Sequence, residues 1–358
     1  MIHSPGIYFG LHEEEYHADE SLSTSGIKKL IQDPEEFWDQ SSMNPGKPPQ
    51  EAKDCLSRGT LWHCRLLEPE NFHKKYAIAP YINSDVADGK EVLHTVDDMK
   101  EWLDQANVPY KKSMKKSEFE RAVLEAHKLG YGDTEPYLFD FENQGFANNN
   151  AGKTVIWSEE IYNTMLQAEA AMNEHPYFSR VFEGGMSEVS IFWVDQESGL
   201  PMKARIDKLK PKVILDYKTI HVSRLKSTRK AALDAIKYEH YDIQTAVYTI
   251  AVANAVNMIN DKTGIISGDV PGAFIDEFRQ TAEKPFGFVF QKEDRPYTVR
   301  GLKVVRRGGD LFNVFGNGLH YMTQGIQLYQ RYTEMYGRQR WVDPEGMTQI
   351  EDHEIYYG

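Results

Sequence analysis

Three charged side chains in one short stretch could do chemistry together. Residues 205–220 read R-I-D-K-L-K-P-K-V-I-L-D-Y-K-T-I, two apolar strands around a Lys-Pro-Lys turn. With Pro211 and Lys212 as the central turn residues, Asp207 falls opposite Asp216, and Lys218 falls opposite Arg205. Directly opposed side chains have Cβ atoms about 4.5–5.5 Å apart, and Asp216 and Lys218, two residues apart, share a strand face. Two carboxylates that close repel unless positive charge lies between them. A divalent cation would supply it, with Lys218 alongside, and hard oxygen donors suit Mg²⁺ or Mn²⁺. On spacing alone, an exposed strand face carrying an Asp–Lys pair accounts for the same residues.

A hairpin that holds such a cluster needs partners and a core. S-E-V-S-I-F-W-V-D, residues 187–195, alternates Val189, Ile191 and Trp193 and predicts a strand. Gly199 turns it into P-M-K-A-R-I-D-K-L, so the hairpin completes a three-strand meander. A long helix begins near W-S-E-E-I-Y, another covers Y-D-I-Q-T-A-V-Y-T-I-A-V-A-N-A, and a third closes the chain over residues 312–332. P-F-G-F-V-F-Q-K-E and P-Y-T-V-R-G-L read as strands. Near the start, Ser23 or Ser25 can cap a short helix that Pro34 ends or restarts. Residues 51–68 read as a helix closed by Pro69. Gly59 in its middle costs ~1 kcal/mol against Ala, which suggests close approach to the backbone.

The texture changes over residues 82–153. Thr95 is a candidate N-cap with Asp98 three residues on, Ser117 and Glu120 form a candidate capping box, and Gly130 is a stop. Between the two helices, Lys111, Lys112, Lys115 and Lys116 make a basic knob. The same lysines could be a solvated charge run on a plain helical hairpin. The polar stretch D-F-E-N-Q-G-F-A-N-N-N-A-G-K reads as a loop. The expected organisation is a main domain of residues 1–82 and 150–358, an inserted helix–extended loop–helix module over 90–132, and a polar linker over 133–153.

Asp207, eight intervening residues and then Asp216-Tyr217-Lys218 resembles the D…(D/E)-x-K core of the PD-(D/E)XK nuclease superfamily. Further matches resemble its branch of RecB-like domains and RecE-type exonucleases (exonuclease VIII). Gly59-Thr60-Leu61-Trp62-His63 is similar to a G-x-x-x-H helix motif, Glu188-Val189-Ser190-Ile191-Phe192-Trp193 to the strand before the first aspartate, and Tyr241-x-x-Gln244-x-x-x-Tyr248 to the Q-x-x-x-Y helix. The resemblance implies an α/β fold, a central mixed β-sheet flanked by helices in the restriction-endonuclease-like arrangement. It implies Asp207 and Asp216 as metal carboxylates, the Tyr217 carbonyl and His63 as further ligands, and Glu188 near a second metal or merely shaping its strand. Lys218 is then the catalytic lysine, and Gln244 and Tyr248 brace the site or touch DNA. An imidazole ligand predicts that Mn²⁺ is tolerated in place of Mg²⁺.

The implied activity is Mg²⁺-dependent exonuclease digestion of linear double-stranded DNA ends, 5′ to 3′, exposing single strands for an annealing recombinase. Family members form rings, so a homo-oligomer is expected, in a cytoplasmic setting of bacterial or phage origin. The 90–132 module resembles the SAP/HeH type, which accompanies DNA-handling proteins. Endonuclease or single-strand-specific activity on the same core, or an inactive DNA-binding scaffold, would use the same residues.

Composition agrees with part of this. The chain of 358 residues is 41% hydrophobic and 12% aromatic, which supports a packed core. It lacks a long apolar run and a basic-then-apolar leader, so no membrane span or secretory signal is expected. Its two cysteines, Cys55 and Cys64, are too few for a four-thiolate iron–sulfur cluster and are expected as free thiols. The net charge of −13 opposes general affinity for a polyanion. Residues 203–230 reverse that locally, with ten basic side chains against two acids. Arg205, Lys208, Arg224, Lys226 and Arg229 are therefore candidates for a DNA-binding face.

Overall fold

The computed structural model describes residues 2–47, 58–79, 89–305 and 313–344. Cys55 and the first half of the helix expected over 51–68 lie outside them. The chain divides into two compact units, residues 1–52 with 170–358 and residues 53–169. The elements begin with β1 (Gly6–Tyr8), α1 (Glu13–Ala18), α2 (Thr24–Gln32) and α3 (Pro34–Gln40). The second unit contributes α4 (Arg58–Leu67), α5 (Pro69–Lys75), β2 (Tyr76–Ile78), β3 (Lys90–Leu93), α6 (Val96–Gln105), α7 (Lys116–Lys128), β4 (Glu135–Leu138), α8 (Phe139–Asn149) and β5 (Thr154–Ile156). The division falls within α9 (Glu159–Asn173). The first unit resumes with β6 (Met186–Val194), β7 (Pro201–Lys210), β8 (Val213–Ile220), α10 (Thr228–Tyr238) and α11 (Tyr241–Asn260). It ends with β9 (Ile265–Ser267), α12 (Gly272–Phe278), β10 (Phe286–Lys292), β11 (Val299–Val304) and α13 (Val314–Tyr336).

The first unit is built on a seven-stranded mixed sheet in the order β11-β10-β8-β7-β6-β1-β9. The expected meander of β6, β7 and β8 is antiparallel throughout. β8 pairs parallel with β10, and β1 pairs parallel with β9. Apolar alternation along β6 and β7 feeds Val189, Ile191, Ala204 and Ile206 into one core with Ile243, Val247, Ala251 and Val252 of α11. Such a helix, apolar nearly all round, belongs in the middle of a fold. α13 crosses α11 where Gly318 lies, and a Cβ there would stand 1.9 Å from the Asp242 carbonyl oxygen. Only a residue without a side chain lets the two helices approach so closely.

In the second unit, α6, α7, β3 and β4 enclose a small core of Leu93, Met99, Trp102, Leu103, Phe119, Val123 and Leu138. Thr95 and Asp98 form the expected reciprocal cap on α6. α7 departs from expectation. It starts at Lys116, and Glu118, not Glu120, accepts the N–H of the capping residue Lys115 at 2.7 Å. The module is also longer than 90–132, because β3 and β4 pair in parallel at its two ends. Residues 139–149 form α8 and not a loop. Phe139 packs on His94 and Phe146 on Trp157, so aromatic rings two turns apart anchor the helix.

Candidate active site

The turn at Pro211-Lys212 sets the register expected of it: Lys210 pairs with Val213, Leu209 with Ile214 and Lys208 with Leu215. There the β7–β8 ladder stops. Beyond that point β8 stays with β10 as far as Ile220, whereas β7 stays with β6. Asp207 and Asp216 are the next pair along, standing where the two strands part. The expected pairing of Lys218 with Arg205 does not form. Arg205 keeps only its β6 partner, Ser190, because β7 has by then left β8.

Asp207 and Asp216 are both buried, Asp216 completely. The Lys218 ammonium joins them, with Nζ 2.7 Å from Asp216 Oδ1 and 3.6 Å from Asp207 Oδ2. Burial, and then the neighbouring Asp207, push the Asp216 carboxyl up, while Lys218 pulls it back. Burial alone would lower the Lys218 ammonium, but attraction to both carboxylates outweighs it and keeps the charge in place. Two carboxylates therefore share one ammonium in a dry setting. That donor set of hard, close, under-neutralised oxygens fits a small divalent cation.

α11 braces the cluster. Gln244 Nε2 donates to Asp216 Oδ2, which fixes the carboxylate plane. Tyr248, one turn on, is buried. Burial and then Asp207 and Asp216 hold its phenol well above the usual range, so it stays neutral beside the acids. Tyr217 alternates to the other face, where its hydroxyl donates to Gln291 at 2.7 Å.

Glu188 lies across from Asp207, between the paired positions Ser187–Lys208 and Val189–Ile206. Its φ of 53° is left-handed, an uncommon state for a non-glycine residue in a strand. Arg205 clamps it, with Nε 2.5 Å from Glu188 Oε2. Backbone held in a sparsely populated region beside buried acids marks a site under structural constraint.

The basic run is only partly a surface. Arg205 is committed to Glu188, the Leu11 carbonyl and the Ser190 hydroxyl. Lys208 is buried and donates to Ser187 at 3.0 Å. Both belong to strand faces that the fold covers, so neither lies on a free basic face. Arg224, Lys226 and Arg229 are exposed, with Lys226 paired to Asp234 at 2.8 Å. His63 is half-buried on α4 of the second unit. Lys111, Lys112 and Lys115 are exposed between α6 and α7, while Lys116 is half-buried and donates to the His94 carbonyl.

Two residues join the cluster that sequence reasoning did not assign. The Tyr241 ring lies 5.3 Å from Lys218 Nζ and 4.8 Å from Lys28 Nζ. Tyr241 opens the Q-x-x-x-Y motif, a signal within reach. Lys28 reads as one more polar position on an amphipathic helix, and only the fold brings it here.

The profile of a family described as a PDDEXK-like domain of unknown function (DUF3799) matches residues 23–263. A crystal structure described as "Putative exonuclease" from Eubacterium rectale aligns with a TM-score of 0.43 and 15% identity, covering 97% of this chain and 98% of that one. None of the curated proteins matches the chain. The profile and the mixed sheet with flanking helices identify a restriction-endonuclease-like α/β fold.

Proposed function

The chain belongs to the PDDEXK-like family DUF3799, a nuclease-type fold, and from that membership we propose that it is a divalent-metal-dependent DNA exonuclease acting on linear duplex ends. The observation that carries the reading is the Lys218 ammonium set between two buried carboxylates at the parting of β7 and β8. Asp207, Asp216 and the Tyr217 carbonyl would hold Mg²⁺, with Mn²⁺ tolerated. Such an ion supplies Lewis acidity toward the phosphate and makes a water more acidic. Lys218 stays protonated, so it orients water and stabilises charge on the phosphate oxygens in the transition state, and it does not abstract a proton. Gln244 keeps Asp216 from turning away. The resemblance to RecE-type enzymes supports 5′-to-3′ digestion, single-stranded products for an annealing recombinase and a ring-shaped homo-oligomer. The resemblance of the inserted module to the SAP/HeH type supports a DNA-backbone contact through its Lys111, Lys112 and Lys115.

An end-labelled linear duplex and a covalently closed circle, each with Mg²⁺, with Mn²⁺ or with chelator, test the proposal. The linear substrate is expected to release nucleotides only with the ion, and the circle to stay intact. Asp216→Asn and Lys218→Met are each expected to lower turnover by about 10³-fold or more while DNA is still bound. Cutting of the circle would make the enzyme an endonuclease. Inertness toward every DNA with either ion would end the nuclease reading.

A further inference from the structure

Resting on that reading, we propose that Lys28 is a second phosphate-binding residue of the same site, one that holds a backbone phosphate of the strand being cut beside the phosphate served by Lys218. Both ammonium groups lie against the one Tyr241 ring, at 4.8 Å for Lys28 and 5.3 Å for Lys218. The ring draws the two cations into one neighbourhood.

Lys28 is also under-partnered. Its Nζ donates to the Glu239 carbonyl at 2.6 Å, at the C-terminal cap of α10. An ammonium has three donors, and among the described residues no carboxylate pairs with this one. The side chain is half-buried. Burial first, and then the Lys218 charge, push its ammonium down to about 8, against partial support from Asp216, Asp242 and Glu239. Its hydrogen bond to Glu239 lies at an exposed position, so the ammonium keeps donors open toward solvent while the Tyr241 ring holds it near Lys218. An anion can therefore reach it, and the anion that reaches this site on the proposed substrate is a phosphodiester. Lys28 is thus a positioning residue for the strand and not a member of the group that breaks the bond.

The competing account is purely structural, because a lysine bonded to the last carbonyl of a helix is a C-terminal cap. Lys28→Gln separates the two, since an amide can still donate to the Glu239 carbonyl but carries no charge. Measurements on the full chain would be KM and kcat on the end-labelled duplex, binding of that duplex across salt concentrations in chelator, and Tm. Lys28→Gln is expected to raise KM about tenfold, change kcat less than about threefold, and reduce the slope of log affinity against log salt by about one. Lys28→Arg is expected to restore KM and slope. A wild-type KM and salt slope in Lys28→Gln, whatever its Tm, would overturn the proposal and leave a cap. Failure of the wild-type chain itself to hydrolyse DNA would instead sink the nuclease reading.

Discussion

Three charged residues alternate along one face of β7, and what surrounds each decides its work. Asp207 stands at the parting of the strands and serves the acid cluster. Arg205, two residues back, clamps Glu188 in its left-handed backbone conformation within β6. Lys203, two further back, is buried and donates to the carbonyls of Tyr16 at 2.7 Å and Asp19 at 2.5 Å. Burial pushes its ammonium down to about 8, with Asp19 resisting. Between that value and the ordinary 10.5 the unfolded chain binds the proton and the folded chain releases it. Stability contributed by this position therefore rises with pH across that window. In urea unfolding, wild type is expected to gain about 1–2 kcal/mol on Lys203→Met between pH 7.5 and pH 10, after allowance for solvent screening. A gap that stays constant would mean the lysine is not held in a dry site. At this scale the sequence was legible where chemistry is local. Asp207, Asp216 and Lys218 follow from a two-residue turn and strand alternation. The inward fate of Lys203, Arg205 and Lys208 was not, because a run of cations looks the same whether it meets solvent or backbone carbonyls.

At the scale of elements, the site depends on strands that separate and on a helix pressed against them. β7 and β8 share only three paired positions before each continues with its other neighbour. Turn chemistry announced the hairpin, but nothing local announces its opening. β1 and β9, three residues each, escape a reading by periodicity because their pairing is wholly non-local. α8 was hidden by its Asn-rich composition and by Gly145, and revealed by its aromatic contacts. α11 delivers Gln244 to Asp216, and its position is set from behind by α13 at Gly318. A Cβ at Gly318 would stand 1.9 Å from backbone, whereas one at Gly325 meets Cγ2 of the buried, β-branched Ile27 at 2.8 Å, a smaller overlap that still requires a shift. Ala at a helical Gly is intrinsically favourable by up to about 1 kcal/mol. Gly325→Ala is therefore expected to cost about 1 kcal/mol. Gly318→Ala is expected to cost about 2–3 kcal/mol and to reduce turnover by moving Gln244. Thermal unfolding of the two variants checks the order, and equal Tm values would show that the helices have room to part.

At the scale of the whole molecule, the proposed DNA substrate would have to be held by local features of a chain whose net charge is −13. The second unit offers one. Its module has its own core and is tied at both ends by β3 and β4, with Lys90 paired to Glu135 at 2.8 Å and Thr134 bonded to Glu91 at 2.7 Å. Gly132, with φ of 83°, passes so close to Trp102 that a Cβ would stand 2.5 Å from its ring. This packing leaves Lys111, Lys112 and Lys115 exposed and outside the core. Replacing all three by Gln should leave Tm unchanged, since no apolar contact is lost. If they meet phosphates, the salt slope of duplex binding should fall by about two to three and affinity at physiological salt by about tenfold. The Mg²⁺ dependence of hydrolysis at saturating DNA should not move, because the carboxylates that would hold the ion are untouched. Anisotropy titrations from low to high salt read the slope directly. An unchanged slope would leave the module a role in shape or assembly and not in holding the DNA backbone.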